Sequence, residues 1–100
     1  MKKVNFLIQC DDKLIPTDGY YIGKRGGFEL IAHRSHMYAP YWIVSELHTG
    51  ARVIRSSGFT TRKAAISEAH AIIDTLEKEQ IARAHELMRD KAVNTLSVIK

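Results

Sequence analysis

Tyr41-Trp42-Ile43-Val44-Ser45-Glu46-Leu47, His48-Thr49-Gly50, Ala51-Arg52-Val53-Ile54-Arg55, Ser56-Ser57-Gly58 and then Thr60-Thr61-Arg62-Lys63 is the stretch that decides the fold class. The run 41–47 is dense in aromatic and β-branched residues, which fit a pleated, half-buried surface. A Thr-Gly turn returns it into 51–55, and Ser-Ser-Gly ends that second run. At Thr60–Lys63 the apolar spacing changes from alternation to a helical period. A threonine there, Thr60 or Thr61, can accept a hydrogen bond from an orphan N–H of the first helical turn.

Toward the C terminus, Ala65, Ala69, Ile73, Leu76, Gln80, Ala84 and Leu87 recur every three or four positions, flanked by Ile66, Ile72 and Met88. Glu68, Asp74, Glu77, Lys78, Glu79, Arg83, Glu86 and Arg89 take the other face. The pattern predicts one long amphipathic helix from Thr61 to Asp90, with no Gly or Pro to stop it. Thirty residues of helix span about 45 Å, whereas a six-residue strand spans about 20 Å. Either the helix bends near Glu77–Gln80 or its far half packs on something else. Ala92, Leu96 and Ile99 continue the Met88 stripe, so a homodimer through Leu87, Met88, Leu96 and Ile99 is the expected cover.

Toward the N terminus, Val4, Phe6 and Ile8 alternate with polar neighbours, as a strand does, and 10–13 reads as a turn. Pro16-Thr17-Asp18-Gly19 is a second turn signal. Tyr20–Lys24 and Phe28–Ala32 flank Arg25-Gly26-Gly27, which predicts a hairpin. Residues 33–40 have no period and read as a loop. The expected architecture is α+β: an antiparallel sheet of four to five strands followed by a long C-terminal helix. It forms a single domain over 1–100, with a β-rich basic part (1–58) and a helical part (60–100).

The chain has 100 residues, 45% hydrophobic and 26% charged, which suits a folded domain with its own core. Cys10 is the only cysteine, so no intramolecular disulfide or CxxC framework exists. No apolar run reaches the roughly 18–20 residues of a membrane helix. The start is basic but meets Asp11-Asp12 at once, unlike a signal peptide, so a cytoplasmic location is expected. Residues 1–63 carry ten Lys/Arg against five Asp/Glu, and 64–100 carry five against six, so the net +4 belongs to the sheet and loops. A basic face attracts nucleic acid or an acidic protein surface.

No constellation reads as an active site. His33-x-x-His36 has the spacing to share a metal but no local third ligand, so it is read as a histidine-bearing loop with no metal and no cofactor. His70 and His85 are fifteen residues apart on the helix. Asp11 and Asp12 beside Cys10 raise a thiol pKa instead of activating it. The Gly23-x-x-Gly26-Gly27 turn lacks the ending of a phosphate loop. No enzymatic activity is expected. Tyr20, Tyr21, Tyr38, Tyr41 and Trp42 lie amid Lys24, Arg25, His33, Arg34 and His36. Tyr41 and Trp42 face opposite ways in a strand, so one enters the core and the other looks outward. Aromatics among arginines make both interface hot spots and base-stacking platforms. The expected partner-binding residues are Lys24, Arg25, Arg34, Tyr38, Trp42, Arg62 and Lys63.

Tyr41–Leu76, with Gly58-Phe59-Thr60-Thr61-Arg62-Lys63-Ala64-Ala65 at its centre, resembles the strand–strand–helix tail of double-stranded-RNA-binding domains. Arg62 and Lys63 match the first two basic positions of that tail. Ile66 stands where a third basic residue belongs, and no helix precedes the sheet. In build, a short basic chain without an active site, the protein is also similar to small phage-encoded accessory proteins, including those that block bacterial defence complexes. The resemblance implies a non-enzymatic inhibitor or adaptor that engages a protein or ribonucleoprotein complex. The alternative is direct nucleic-acid binding by the same face plus Arg62 and Lys63.

Overall fold

Phe28-Glu29-Leu30-Ile31-Ala32-His33 is buried at every position, so this strand has cover on both faces. The structure, a computed structural model, describes residues 2–10, 13–35, 40–54, 58–91 and 93. Its elements are β1 (Lys2–Cys10), β2 (Lys13–Arg25), β3 (Phe28–Arg34), β4 (Trp42–Glu46), α1 (Arg62–Asp74) and α2 (Lys78–Lys91). The strands form one antiparallel sheet in the order β1-β2-β3-β4, followed by the two helices, so the fold is α+β. Among the described residues no helix is long and apolar enough to cross a membrane.

The β2–β3 hairpin closes on the pair Arg25↔Phe28. Gly26 and Gly27 both have positive φ, 58° and 81°, as a two-residue turn matched to the strand twist requires. The sequence placed this hairpin, but it also placed a turn at Pro16–Gly19, where β2 instead runs straight through. Pro16 pairs with Leu7 of β1, and β3 reaches only as far as Gly19. Pro16 therefore has a strand on one side only, and its missing N–H breaks no bond to β3. At Gly19 the neighbours are close: a Cβ would stand 2.5 Å from the Ile31 side chain.

Because β2 outruns β3, the outer half of the β1–β2 hairpin is free to fold across the sheet. Val4, Phe6 and Ile8 cover Ile31 and Leu47, making the second of two apolar clusters. The far end of β1 meets the turn that follows β4: Gln9 N–H donates to the Gly50 carbonyl at 3.0 Å. Its side-chain amide donates to the Thr49 carbonyl at 2.9 Å. A Cβ on Gly50 would lie 2.2 Å from the Leu7 carbonyl oxygen, so only glycine lets this turn touch the β1 backbone.

On the opposite face, Phe28, Leu30, Ala32 and Val44 pack against Ala65, Ala69 and Ile73 of α1, with Ile54 at the margin. Thr61 is the N-cap of that helix, its hydroxyl accepting from Ala64 N–H at 3.1 Å. Among the described residues, the fifth strand expected over 51–55 does not form. Arg52 makes a single bridge to Ser45, and Phe59 a single bridge to Trp42. The segment after the turn meets β4 through two backbone hydrogen bonds, Glu46 N–H to Ala51 O at 2.8 Å and Val53 N–H to Val44 O at 2.9 Å, and Ile54 beyond them is buried in the helix-face core.

The single long helix is also corrected. At Thr75 the backbone N–H is shared by the Ala71 and Ile72 carbonyls, and Leu76 N–H reaches only Ile73 O. The Thr75 hydroxyl adds a bond to Ile72 O at 2.7 Å. Glu77 N–H then donates to the Gln80 side chain at 2.8 Å, half of a capping box that opens α2. The break turns α2 back, so Ile81, Ala84 and Met88 reach the same core as Ile73. His85 stacks on Phe28 with ring centroids 4.4 Å apart. The length mismatch that called for a second copy is thereby removed. Met88 packs within its own chain, Leu87 is 53% exposed, and Leu96 and Ile99 lie outside the described residues. At this same C-terminal end of α1, the Arg25 guanidinium pairs with Asp74, Nε at 2.9 Å and Nη2 at 2.5 Å. The pairing holds the Asp74 carboxyl below its ordinary range.

His33 is 2% exposed and lies edge-on to Phe6. Its Nδ1–H donates to the Arg34 carbonyl at 2.9 Å and its Nε2 accepts from the Ser45 hydroxyl at 2.7 Å. Burial pushes the imidazole below its ordinary value of 6.5, with the carbonyl bond opposing.

Two outcomes follow from this packing. Ile73, 4% exposed, sits in the helix-face core, so Ile73→Ala costs about 2–5 kcal/mol in urea unfolding, while Leu87→Ala changes stability by less than about 0.5 kcal/mol. For His33 the unfolded chain binds the proton more readily than the folded one. Stability therefore falls as pH drops below about 6.5 and levels off beneath the lower folded-state value. His33→Gln flattens that part of the stability–pH curve.

Candidate functional site

Where β4 begins and α1 begins, two arginines lie over two aromatic rings. Tyr20 stands on β2 opposite Ala32, and Trp42 stands on β4 opposite Arg34. Alternation puts Tyr20, Ala32, Arg34 and Trp42 on the helix face of the sheet. Trp42 and Phe59 exchange backbone hydrogen bonds of 2.6 and 2.9 Å, which returns the chain to this corner three residues before Arg62. The register thus delivers Arg62, the first residue of α1, onto the rings.

The Arg34 guanidinium lies 4.4 Å from the Trp42 ring centroid. Arg62 lies 4.8 Å from the Tyr20 centroid and 5.7 Å from that of Trp42. The two rings are 6.2 Å apart and tilted by 44°. Arg34 Nη1 also donates to the Pro40 carbonyl. Each guanidinium–ring contact stabilises by about 0.5–1 kcal/mol at an exposed site. The planar groups are thereby held with edges available for forked bonds to a carboxylate or phosphate.

Charge is what sets this corner apart. Among the described residues neither Arg34 nor Arg62 has an ion-pair partner. Lys63 follows on α1, exposed, and the first turn of that helix contains no acid. The N-terminal end of a helix carries about half a positive charge, which disfavours cations there. Two cations and the start of a helix therefore share one corner without an ion-pair partner among the described residues.

The structure brings Arg34, Trp42 and Arg62 together and adds Tyr20, while Lys63 follows Arg62 on α1 and is exposed. It does not bring Lys24 and Arg25 to them. Those two sit at the Gly26-Gly27 end of the hairpin, where Arg25 holds Asp74, about 20 Å of helix away from Arg62. Tyr41 is 39% exposed and precedes β4, whereas Trp42 is half-buried against the core. Tyr38 and His36 lie outside the described residues. Tyr20 was the part of the cluster that spacing alone did not single out. Its neighbour Tyr21 faces the other way, where its hydroxyl donates to Glu29 at 2.8 Å.

No family model matches the chain, and no similar curated protein or solved structure was found.

Trp42 is the only tryptophan, so its emission reports on the stack directly. Arg34→Ala and Arg62→Ala each move that emission to longer wavelength, because the ring loses its cover to water. Stability changes by no more than about 1 kcal/mol, the scale of an exposed cation–π contact.

Proposed function

We propose that the protein is a non-enzymatic binding module, of the accessory or inhibitor type, that docks on an acidic surface of a protein or ribonucleoprotein partner. The observation that carries this reading is the pair of guanidiniums stacked on Tyr20 and Trp42 with no carboxylate partner among the described residues. Pre-positioned arginines beside a half-buried tryptophan have the make-up of a binding hot spot. An acidic partner supplies the missing counter-charges and gains forked hydrogen bonds that lysines alone do not offer.

Direct nucleic-acid binding is the second reading, favoured by Arg62 and Lys63 at the start of α1. The rings weigh against it. Stacking of bases needs an open aromatic face, and here guanidiniums already lie over Trp42 and Tyr20. Phosphate contacts would also be strung along a groove, whereas these cations gather at one corner.

Two measurements separate the readings. On random-sequence duplex and single-stranded DNA or RNA, binding at physiological salt is weaker than micromolar. Against an acidic protein partner, Arg34→Ala, Arg62→Ala and Trp42→Ala each cost about 2 kcal/mol or more, while Lys63→Ala costs less than about 1 kcal/mol. Submicromolar binding to random nucleic acid, with log affinity falling by about 0.7–0.9 per phosphate contact against log salt, would overturn the proposal and favour the second reading.

A further inference from the structure

The break between the two helices is short and is held by few bonds. Only Thr75, Leu76 and Glu77 separate α1 from α2, and Thr75 keeps right-handed helical dihedrals, φ −85° and ψ −10°. Leucine and glutamate are good helix formers, and no Gly or Pro occurs from residue 59 to 100. The bend is maintained by the Thr75 hydroxyl on Ile72 O at 2.7 Å and by Glu77 N–H on the Gln80 side chain at 2.8 Å. A straight helix needs neither. It gives the N–H groups of Lys78, Glu79 and Gln80 the carbonyls of Asp74, Thr75 and Leu76, bonds that a helix starting at Lys78 forgoes.

What holds α2 in place is equally separable. None of its residues is fully buried, and Ile81, Ala84 and Met88 are partly buried against the helix-face core. His85 stacks on Phe28, and its Nε2–H donates to Gly26 O at 3.1 Å. Just beyond α2, Val93 N–H donates to His48 O at 2.7 Å. A cleft of about 260 Å³ stays open under the helix, with Ile73, Leu76, Ala84 and Met88 in its wall. Phe28, Gly26, His48 and Ile73 all precede the break. A second copy of the chain therefore presents the same surface to α2, and the same contacts can be made between chains as within one.

We propose that Thr75–Glu77 is a hinge and that two copies of this chain exchange α2 in a domain-swapped homodimer. In the opened chain α1 and α2 form one helix of about 45 Å. Its far half extends past its own sheet and lays Ile81, Ala84, His85 and Met88 on the Phe28–Ile73 surface of the other copy. Each copy gives one helix and receives one, so the exchange closes on a two-fold axis. The fused helix with its added backbone bonds favours the dimer, and the freedom lost on association opposes it. The balance is therefore set by chain concentration. Tyr20, Arg34, Trp42 and Arg62 precede the hinge and keep their arrangement in both forms, so the exchange is independent of the arginine corner.

The test is sedimentation velocity of the full chain from micromolar to millimolar concentration, with isotope-filtered NMR on dimer reassembled from labelled and unlabelled chains. A dimer appears as concentration rises, and NOEs between the Phe28 and His85 rings then run from one chain to the other. Lys78→Pro separates the two forms. Proline suits the first position of α2, but inside a fused helix it removes the bond to Asp74 O and clashes with that carbonyl. The variant stays folded and monomeric, its association weakened by more than about a hundredfold. Gln80→Ala removes the acceptor that holds the bend and raises the dimer fraction. The NOE result stands whether or not the proline variant folds. The proposal is overturned if the chain stays a monomer up to millimolar concentration, or if a dimer forms whose Phe28–His85 NOEs lie only within each chain. A folded Lys78→Pro that associates like the unaltered chain would also overturn it.

Discussion

Burial of β3 on both faces is the constraint on which the rest of the structure depends. A strand covered on both faces needs two layers of cover, and this chain supplies them by different means. The helices serve one face through Ala65, Ala69 and Ile73. The β1–β2 hairpin serves the other by folding its outer half across the sheet, with Val4, Phe6 and Ile8 as the contact row. The hairpin can do this because β2 is 13 residues long and β3 is 7, which leaves six residues of β2 bound only to β1. The burial also encloses polar groups, and they are satisfied: among the described residues no buried side-chain nitrogen or oxygen lacks a partner. Glu46, 4% exposed, does this by accepting from His48 N–H, Thr49 N–H and the Thr49 hydroxyl. In doing so it shapes the turn that contacts β1.

The same packing sorts the cations. Arg25 is neutralised where the hairpin tip meets the end of α1, and that ion pair ties the two elements together on the surface. Exposed pairs of this kind stabilise little, so its consequence is chiefly to take Arg25 out of the basic surface. Arg34 and Arg62 have rings beneath them instead of acids beside them. A ring orients a guanidinium but leaves its charge in place, and this distinction sets Arg34 and Arg62 apart from the paired Arg25.

How much was legible can be followed residue by residue. Gly26-Gly27 announced its turn because only glycine takes positive φ twice in succession without strain. Thr60-Thr61 announced the start of α1, because a hydroxyl before a helical period caps it, and the fold chose Thr61 of the two. Pro16-Thr17-Asp18-Gly19 misled, since the same residues that make a turn also fit a strand whose outer side is unpaired. Residues 51–55 read as the return strand of a hairpin, but among the described residues only Arg52 forms a bridge, to Ser45. Thr75–Gln80 carried a stop and a start, a hydroxyl that bonds back to Ile72 and a glutamine at the third position of the next helix. The sequence offered a bend near Glu77–Gln80 as one of two outcomes, and the uninterrupted apolar stripe left the choice open.

The sequence by itself determined the classes of element, the hairpin, the capped helix and the excess of positive charge in residues 1–63, because each depends on contacts within a few positions. It also placed Arg34, Trp42, Arg62 and Lys63 among the candidate residues. Only the tertiary structure decided which cations have partners and which rings lie under them. Arg25 and Asp74 are 49 positions apart, and no local pattern couples them. The folding of the β1–β2 hairpin across β3 and the return of α2 were decided at the same level. Each is driven by apolar area that must be covered, and burial rewards any geometry that covers it; which segment does so depends on the lengths and registers of all the others.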